Sequence, residues 1–165
     1  MRIVAKFEGN RAVAITFWEG LQVQIARVAG GGTTRRGEKL EQVTLLKQEE
    51  AVRLDQDRIG DLYAQLGEAG AEDVVCRAME ELAVRLSHAD RLYRETRMEE
   101  MRKNVRSMVA ISEQIGMYSL ARVARDVMVC VDNSDSVALA AVLARLMRTG
   151  ERSLTAVWDL QDLSI

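Results

Sequence analysis

The sequence predicts an all-α protein, an up-and-down four-helix bundle with an N-terminal extension that includes a long helix. The 165 residues contain no proline, so no residue forces a long helix to end. Hydrophobic residues make up 48% of the chain, which is enough for one sizeable core. Apolar residues recur at alternating spacings of three and four, the pattern of helices that bury one face.

The clearest pattern of this kind lies between Arg97 and Val131. A first buried stripe is formed by Met98, Met101, Val105, Met108, Ser112 and Ile115. Gly116 interrupts it, and a second stripe starts directly afterwards, formed by Leu120, Val123, Ala124, Val127 and Val131. We therefore expect a helix, a bend at Gly116 and another helix.

Two further helices flank this pair. The earlier one spans residues 71–94 and buries Val75, Met79, Leu82, Leu86, Ala89 and Tyr93. Thr96 is a candidate N-cap for the next helix, with Glu99 at the capping-box offset. The later helix follows the polar loop of residues 132–135, with Ser134 or Asp135 as its N-cap and Gly150 as its stop. It buries Leu139, Val142, Leu143, Leu146 and Met147.

The remaining chain divides into three parts. Residues 1–37 read as a docking segment, whose start fits either a β-hairpin or a helix, and a hinge at Gly30–Gly32. Residues 38–70 read as a long amphipathic helix that ends at the glycines near residue 70. Its seven-residue repeat fits a bundle helix or a two-stranded coiled coil, and consists of Leu45, Val52, Ile59 and Leu66. Residues 151–165 form a tail that we expect to pack on the bundle.

The composition excludes several classes of function. A net charge of -2 argues against binding of nucleic acid or of an anionic membrane. The sequence shows neither a signal peptide nor an apolar run long enough to span a bilayer, so we expect a cytoplasmic protein. One histidine and two cysteines cannot build a typical structural zinc site, and we expect no metal and no other cofactor.

Three landmarks between residues 71 and 150 support a family resemblance. They are the pair Ile115-Gly116, Leu120 four residues beyond it, and the polar loop at Asp132–Asp135. Together they resemble the histidine phosphotransfer (HPt) domain, a four-helix bundle that relays phosphoryl groups between receiver domains in bacterial phosphorelays. The resemblance covers about half of the chain and implies a fold of that kind for residues 71–150.

The chemical half of the family motif differs here. The motif's spacing, counted back from Gly116, puts Arg106 at the phosphoacceptor histidine, Val109 at the lysine and Ala110 at the glycine. A guanidinium stays protonated and has no free lone pair, so it cannot accept a phosphoryl group. The resemblance then implies a degenerate, non-enzymatic module that binds a receiver domain or a histidine kinase. The predicted binding surface consists of Arg102, Arg106, Val109, Ala110 and Glu113.

Two other functions remain open. His88 is the only histidine, and the helical register points it toward solvent, where it could accept a phosphoryl group with Asp90 orienting the ring. The alternative is an ordinary surface histidine with no chemical role. The seven-residue repeat favours instead a structural bundle that oligomerises, with a homodimer as its simplest form.

Overall fold

Four helices make up the part of the chain that the structure describes. The structure is a computed structural model that describes the backbone of residues 50–162 and the side chains of residues 50–157. Helix α1 spans Gln56–Arg94, α2 spans Met98–Gln114, α3 spans Tyr118–Asp132 and α4 spans Ser136–Asp162. No strand occurs within these bounds, so the predicted all-α fold is confirmed.

Each helix packs against two neighbours and closes the bundle. Consecutive helices contact one another, and α4 returns to pack on α1. The turns between them are short, which makes neighbouring helices antiparallel. None of the described helices contains an apolar stretch long enough to cross a membrane. The hinge at Gly30–Gly32, the docking segment and Leu45 lie outside the described residues.

The predicted stripes form the core. Nearly every member of the stripes on α2 and α3 is buried, while Met98 and Val131 at their ends are half-buried. The stripe predicted for residues 71–94 is also buried, with Leu92 in addition and Tyr93 only partly covered. Sulfur is prominent in this core, since four methionines are at most 4% exposed: Met79, Met101, Met108 and Met117.

The predicted long helix of residues 38–70 is interrupted in its described part. Residues 50–55 have no regular structure, and α1 starts only at Gln56 because the Asp55 side chain accepts a hydrogen bond from the backbone N–H of Arg58, 3.1 Å away. Gly67 has φ 70° and ψ 173°, so α1 consists of two helical segments joined at a kink. Leu66 is 49% exposed. The seven-residue repeat therefore does not follow one buried stripe of the bundle here, where Leu62 supplies the burial.

Of the N-caps predicted for α2 and α4, the first is wrong and the second is confirmed. The predicted cap at Thr96 is wrong: this residue has φ 56°, and its hydroxyl donates to the carbonyl of Glu95 at 2.7 Å. Helix α2 starts after Arg97 with no side-chain cap. Asp135 does cap α4, since its carboxylate accepts from the backbone N–H of Ala138 at 2.9 Å.

Gly150 is a contact point between helices and does not end α4. A Cβ atom at this position would lie 2.6 Å from Cδ1 of Leu86, so glycine lets α4 approach α1 closely. Helix α4 continues to Asp162, and Ser153 and Val157 beyond Gly150 are buried. The predicted stop is therefore wrong, because the helix gains burial by continuing.

The predicted bend at Gly116 is confirmed, and it also holds the start of α1. Gly116 has φ 75°, a left-handed conformation that disfavours side chains. Its carbonyl accepts a hydrogen bond from the backbone N–H of Asp55 at 3.0 Å. A Cβ on Gly116 would lie 3.0 Å from both Cβ and the carbonyl oxygen of Asp55. Arg58 adds a bond from Nε to the carbonyl of Gln114 at 3.2 Å.

Replacing Gly116 by alanine tests this junction. The left-handed conformation and the backbone of Asp55 both oppose a Cβ, so we expect Gly116→Ala to lower the free energy of unfolding by about 2–4 kcal/mol. Urea denaturation followed by circular dichroism measures the change.

Gly60→Ala provides the matched control. Gly60 lies inside a helix, and a Cβ there would meet nothing within 4 Å. Alanine is the better helix former, so this variant should gain up to about 1 kcal/mol. Equal effects of the two substitutions would show that Gly116 has no special role.

Candidate functional site

The five residues of the predicted binding surface lie along one edge of α2, here called the docking edge: Arg102, Arg106, Val109, Ala110 and Glu113. Four of them follow the spacing of four, three and four that forms a stripe on a helix, and Ala110 lies beside it. Arg106 and Ala110 are exposed, whereas Val109 is half-buried against the core. The docking edge is therefore a surface with an apolar base.

Helix α3 lies beside the docking edge and is tied to it at two points. The guanidinium of Arg102 donates two hydrogen bonds to the carboxylate of Asp132, from Nε at 2.5 Å and from Nη2 at 3.0 Å. At the other end Arg125 forms an ion pair with Glu113. Arg102 and Glu113 are eleven residues apart, about 16 Å along the helix axis. The ion pairs Arg102–Asp132 and Glu113–Arg125 thus lie on either side of the middle of the docking edge. We call this arrangement the bracket.

The middle of this bracket holds a cation and an apolar residue. Arg106 is exposed and forms no ion pair with any residue among 50–157. On α3, Val129 belongs to the same stripe as Arg125 and Asp132, by spacings of four and three, and is 56% exposed. The bracket therefore offers one uncompensated positive charge next to an exposed hydrophobic side chain.

Sequence reasoning did not identify the residues that α3 contributes. Arg125, Val129 and Asp132 lie off the buried stripe of α3, which is the only feature that periodicity detects. The exposure of Val129 could have been predicted, because the helical register that buries Val127 places Val129 outside the buried stripe. The pairing of arginine with carboxylate could not be predicted, since it depends on how α2 and α3 are aligned.

The ion pairs of the bracket contribute little to the free energy of folding. The guanidinium of Arg102 lowers the pKa of Asp132, mainly by hydrogen bonding and secondarily by charge. The Asp132 side chain is nevertheless 48% exposed, and exposed ion pairs contribute little to folding because water screens them. They link α2 to α3 on either side of Arg106.

His88 is positioned differently from the docking edge. It is half-buried on α1, and its side chain forms no hydrogen bond within the described part of the chain. The predicted orienting residue is engaged elsewhere, because Asp90 forms an ion pair with Arg94 at 2.6 Å. The nearby Glu100 has a lowered pKa, caused chiefly by hydrogen bonds from Arg97 and only in small part by His88. The expected pairing of His88 with Asp90 is therefore absent.

No family of proteins, no curated protein and no solved structure matches this chain. Among the described residues, no three histidine, cysteine or acidic side chains come together as metal ligands would. The arguments for function therefore rest on the residues of the chain and their arrangement.

The pKa of Asp132 provides a test of the bracket. We expect its carboxyl to titrate below the ordinary value of about 3.9, and Arg102→Gln to move the midpoint up toward that value. The folded-state pKa is lowered, so the stabilisation by this pair is present above about pH 4 and is lost as the pH falls through the folded-state pKa. Carboxyl-detected NMR titration measures the midpoint.

Arg122→Gln is the control for this titration. Arg122 is an exposed arginine of α3 ten residues before Asp132, and its removal should leave the Asp132 midpoint in place. A midpoint that moves equally in both variants would mean that the overall charge of the protein, not the Arg102 contact, sets the pKa.

Proposed function

We propose that this protein is a non-enzymatic signalling module that binds a receiver domain or a histidine kinase through the docking edge. One observation carries the proposal. Arg106 takes the position at which the resemblance to HPt domains expects the phosphoacceptor histidine, and it is exposed and without an ion-pair partner among the described residues.

The chemistry of arginine separates binding from phosphotransfer. A guanidinium keeps its proton and has no lone pair for a phosphoryl group, so a surface centred on Arg106 cannot continue a relay. The same group binds carboxylates through a planar fork of N–H donors. The surface can therefore engage an acidic partner without passing phosphate to it.

The surroundings of Arg106 suit a protein interface. Ala110 is small and one turn away on the same helix, which allows the backbone of a partner to come close. Val129 adds exposed apolar surface from α3. Interfaces enrich arginine and apolar groups at their centre and place other charges at the rim, which is where the two ion pairs lie. The bracket therefore has the composition of a small docking site.

The platform is also rigid, which lowers the entropic cost of binding. Both helices are anchored by fully buried side chains next to the docking edge, among them Val105, Met108 and Val127. Two interhelical ion pairs link α2 and α3 on either side of Arg106. A partner would therefore meet preformed geometry and need not order it.

Neither alternative function has a comparable observation in its favour. Phosphotransfer through His88 was predicted with Asp90 as the orienting group, and Asp90 is paired with Arg94. Oligomerisation was predicted from a helical seam that is not continuous, because Val52 precedes α1 and the kink at Gly67 follows Leu66.

Charge reversal at Arg106 tests the docking function. Purified receiver domains and histidine kinases from the same organism are screened for binding by biolayer interferometry. For the partner found, Arg106→Glu should raise Kd at least about tenfold, because it replaces an attraction to carboxylates by a repulsion. The free energy of unfolding should stay within about 0.5 kcal/mol of the native protein, since Arg106 is exposed.

Arg91→Glu is the matched control, an identical charge change at an exposed arginine of α1. It should leave Kd within about twofold, a change of roughly 0.4 kcal/mol. If both variants weaken partner binding equally, the loss of affinity comes from overall charge and not from the docking edge. Unchanged binding of Arg106→Glu would refute the docking edge itself.

A further inference from the structure

The six residues before α1, 50–55, form a strap without regular secondary structure that is held at both ends. At one end the backbone N–H of Asp55 bonds to the carbonyl of Gly116. Between the ends Leu54 packs against the core. At the other end the carboxylate of Glu50 reaches two arginines of α4. The strap thus links the turn between α2 and α3 to a basic part of α4.

The two arginines converge on a single carboxylate. Nε of Arg145 lies 3.2 Å from Oε2 of Glu50, and Nη2 of Arg148 lies 3.2 Å from Oε1. The Glu50 side chain is only 17% exposed. Burial alone would raise its pKa, but hydrogen bonds and charges from both arginines outweigh burial and lower the pKa. Glu50 is therefore an ionised internal ligand of these two guanidinium groups.

Glu50 uses little of the binding capacity that these arginines offer. Each arginine gives it one N–H at 3.2 Å, whereas Arg102 gives Asp132 two at 2.5 and 3.0 Å. Nε of Arg148 is buried and has no hydrogen-bond partner in the described part of the chain. A buried N–H without a partner is costly, and an anion with more acceptor atoms would remove that cost.

The local charge also exceeds what Glu50 neutralises. Arg152 follows Arg148 by four residues and Arg145 by seven, so the three arginines share one stripe of α4. Among the described residues, Glu50 and Glu151 are the carboxylates that lie beside this stripe by contact or by sequence. Counted over these described residues, displacement of Glu50 leaves three guanidinium groups and one carboxylate, a local charge of about +2. That charge matches a doubly negative ligand.

We propose that Arg145 and Arg148 form a binding site for a phosphomonoester dianion, which Glu50 occupies when no such ligand is bound. A phosphoryl group presents three acceptor oxygens and nearly two negative charges at pH 7, and planar guanidinium groups bind it bidentately. Binding displaces the carboxylate of Glu50 and frees the start of the strap. The site lies on α4 and does not depend on the docking edge of α2.

Removal of the internal ligand tests the site directly. The probe is a short peptide that contains one phosphoserine, and its binding to the full chain is measured by isothermal titration calorimetry at pH 7.5. We expect Glu50→Ala to lower Kd for this peptide at least about tenfold, because the phosphoryl group no longer competes with an attached carboxylate. Glu50→Ala combined with Arg148→Gln should abolish that gain.

Glu68→Ala is the control for net charge, since Glu68 is exposed on α1. It should bind as the native protein does. If it gains affinity as much as Glu50→Ala, or if neither variant gains any, the site is refuted. Circular dichroism checks that each variant is folded, and Glu50→Gln, which keeps the size of the side chain, replaces Glu50→Ala if the latter unfolds.

Two further titrations identify the source of the phosphoryl group. The same peptide without phosphate should not bind, and equal binding of both peptides would overturn the proposal. Inorganic phosphate should compete with the phosphopeptide. Equal affinity for inorganic phosphate and the peptide supports a site for free dianions, and a preference for the peptide supports a site for phosphorylated side chains.

Discussion

The close contact between Gly116 and Asp55 constrains more of this fold than any other single feature. It joins the turn between α2 and α3 to the residue that caps α1, so three helices meet at one backbone hydrogen bond. Only glycine provides both the left-handed backbone and the space that Asp55 fills. The alignment of α2 with α3, and with it the position of the docking edge, depends on this turn.

The arginines of the bundle fall into groups that differ in how many of their N–H donors are already bonded within the protein. Arg102 gives two of its five N–H donors to one carboxylate, that of Asp132 on α3. Arg106 is exposed and forms no ion pair within the part of the chain that the structure describes, so its donors stay available. Arg145 and Arg148 share one carboxylate from the same chain and keep unused donors. The ability of each arginine to bind a further anion depends on how many of its N–H donors are still without a partner.

The buried stripes of α2 and α3, and the bend at Gly116, were predictable because periodicity reports which face of a helix is buried. Exposure of Arg106 followed from the same register. The role of Gly150 was not predictable, since a glycine that ends a helix and one that admits a neighbouring Leu86 look alike in sequence. The pairing of Arg102 with Asp132 spans thirty residues and depends on helix alignment, which periodicity does not encode.

The methionine-rich core determines how the protein is damaged by oxidation. Met101, Met108 and Met117 are fully buried, so an oxidant reaches their sulfur atoms only when the bundle opens. A sulfoxide formed in such a moment is polar and cannot return to the same packing. Damage would therefore accumulate in molecules that have opened once and keep them open. The lifetime of the folded protein under oxidative stress is accordingly set by its opening rate.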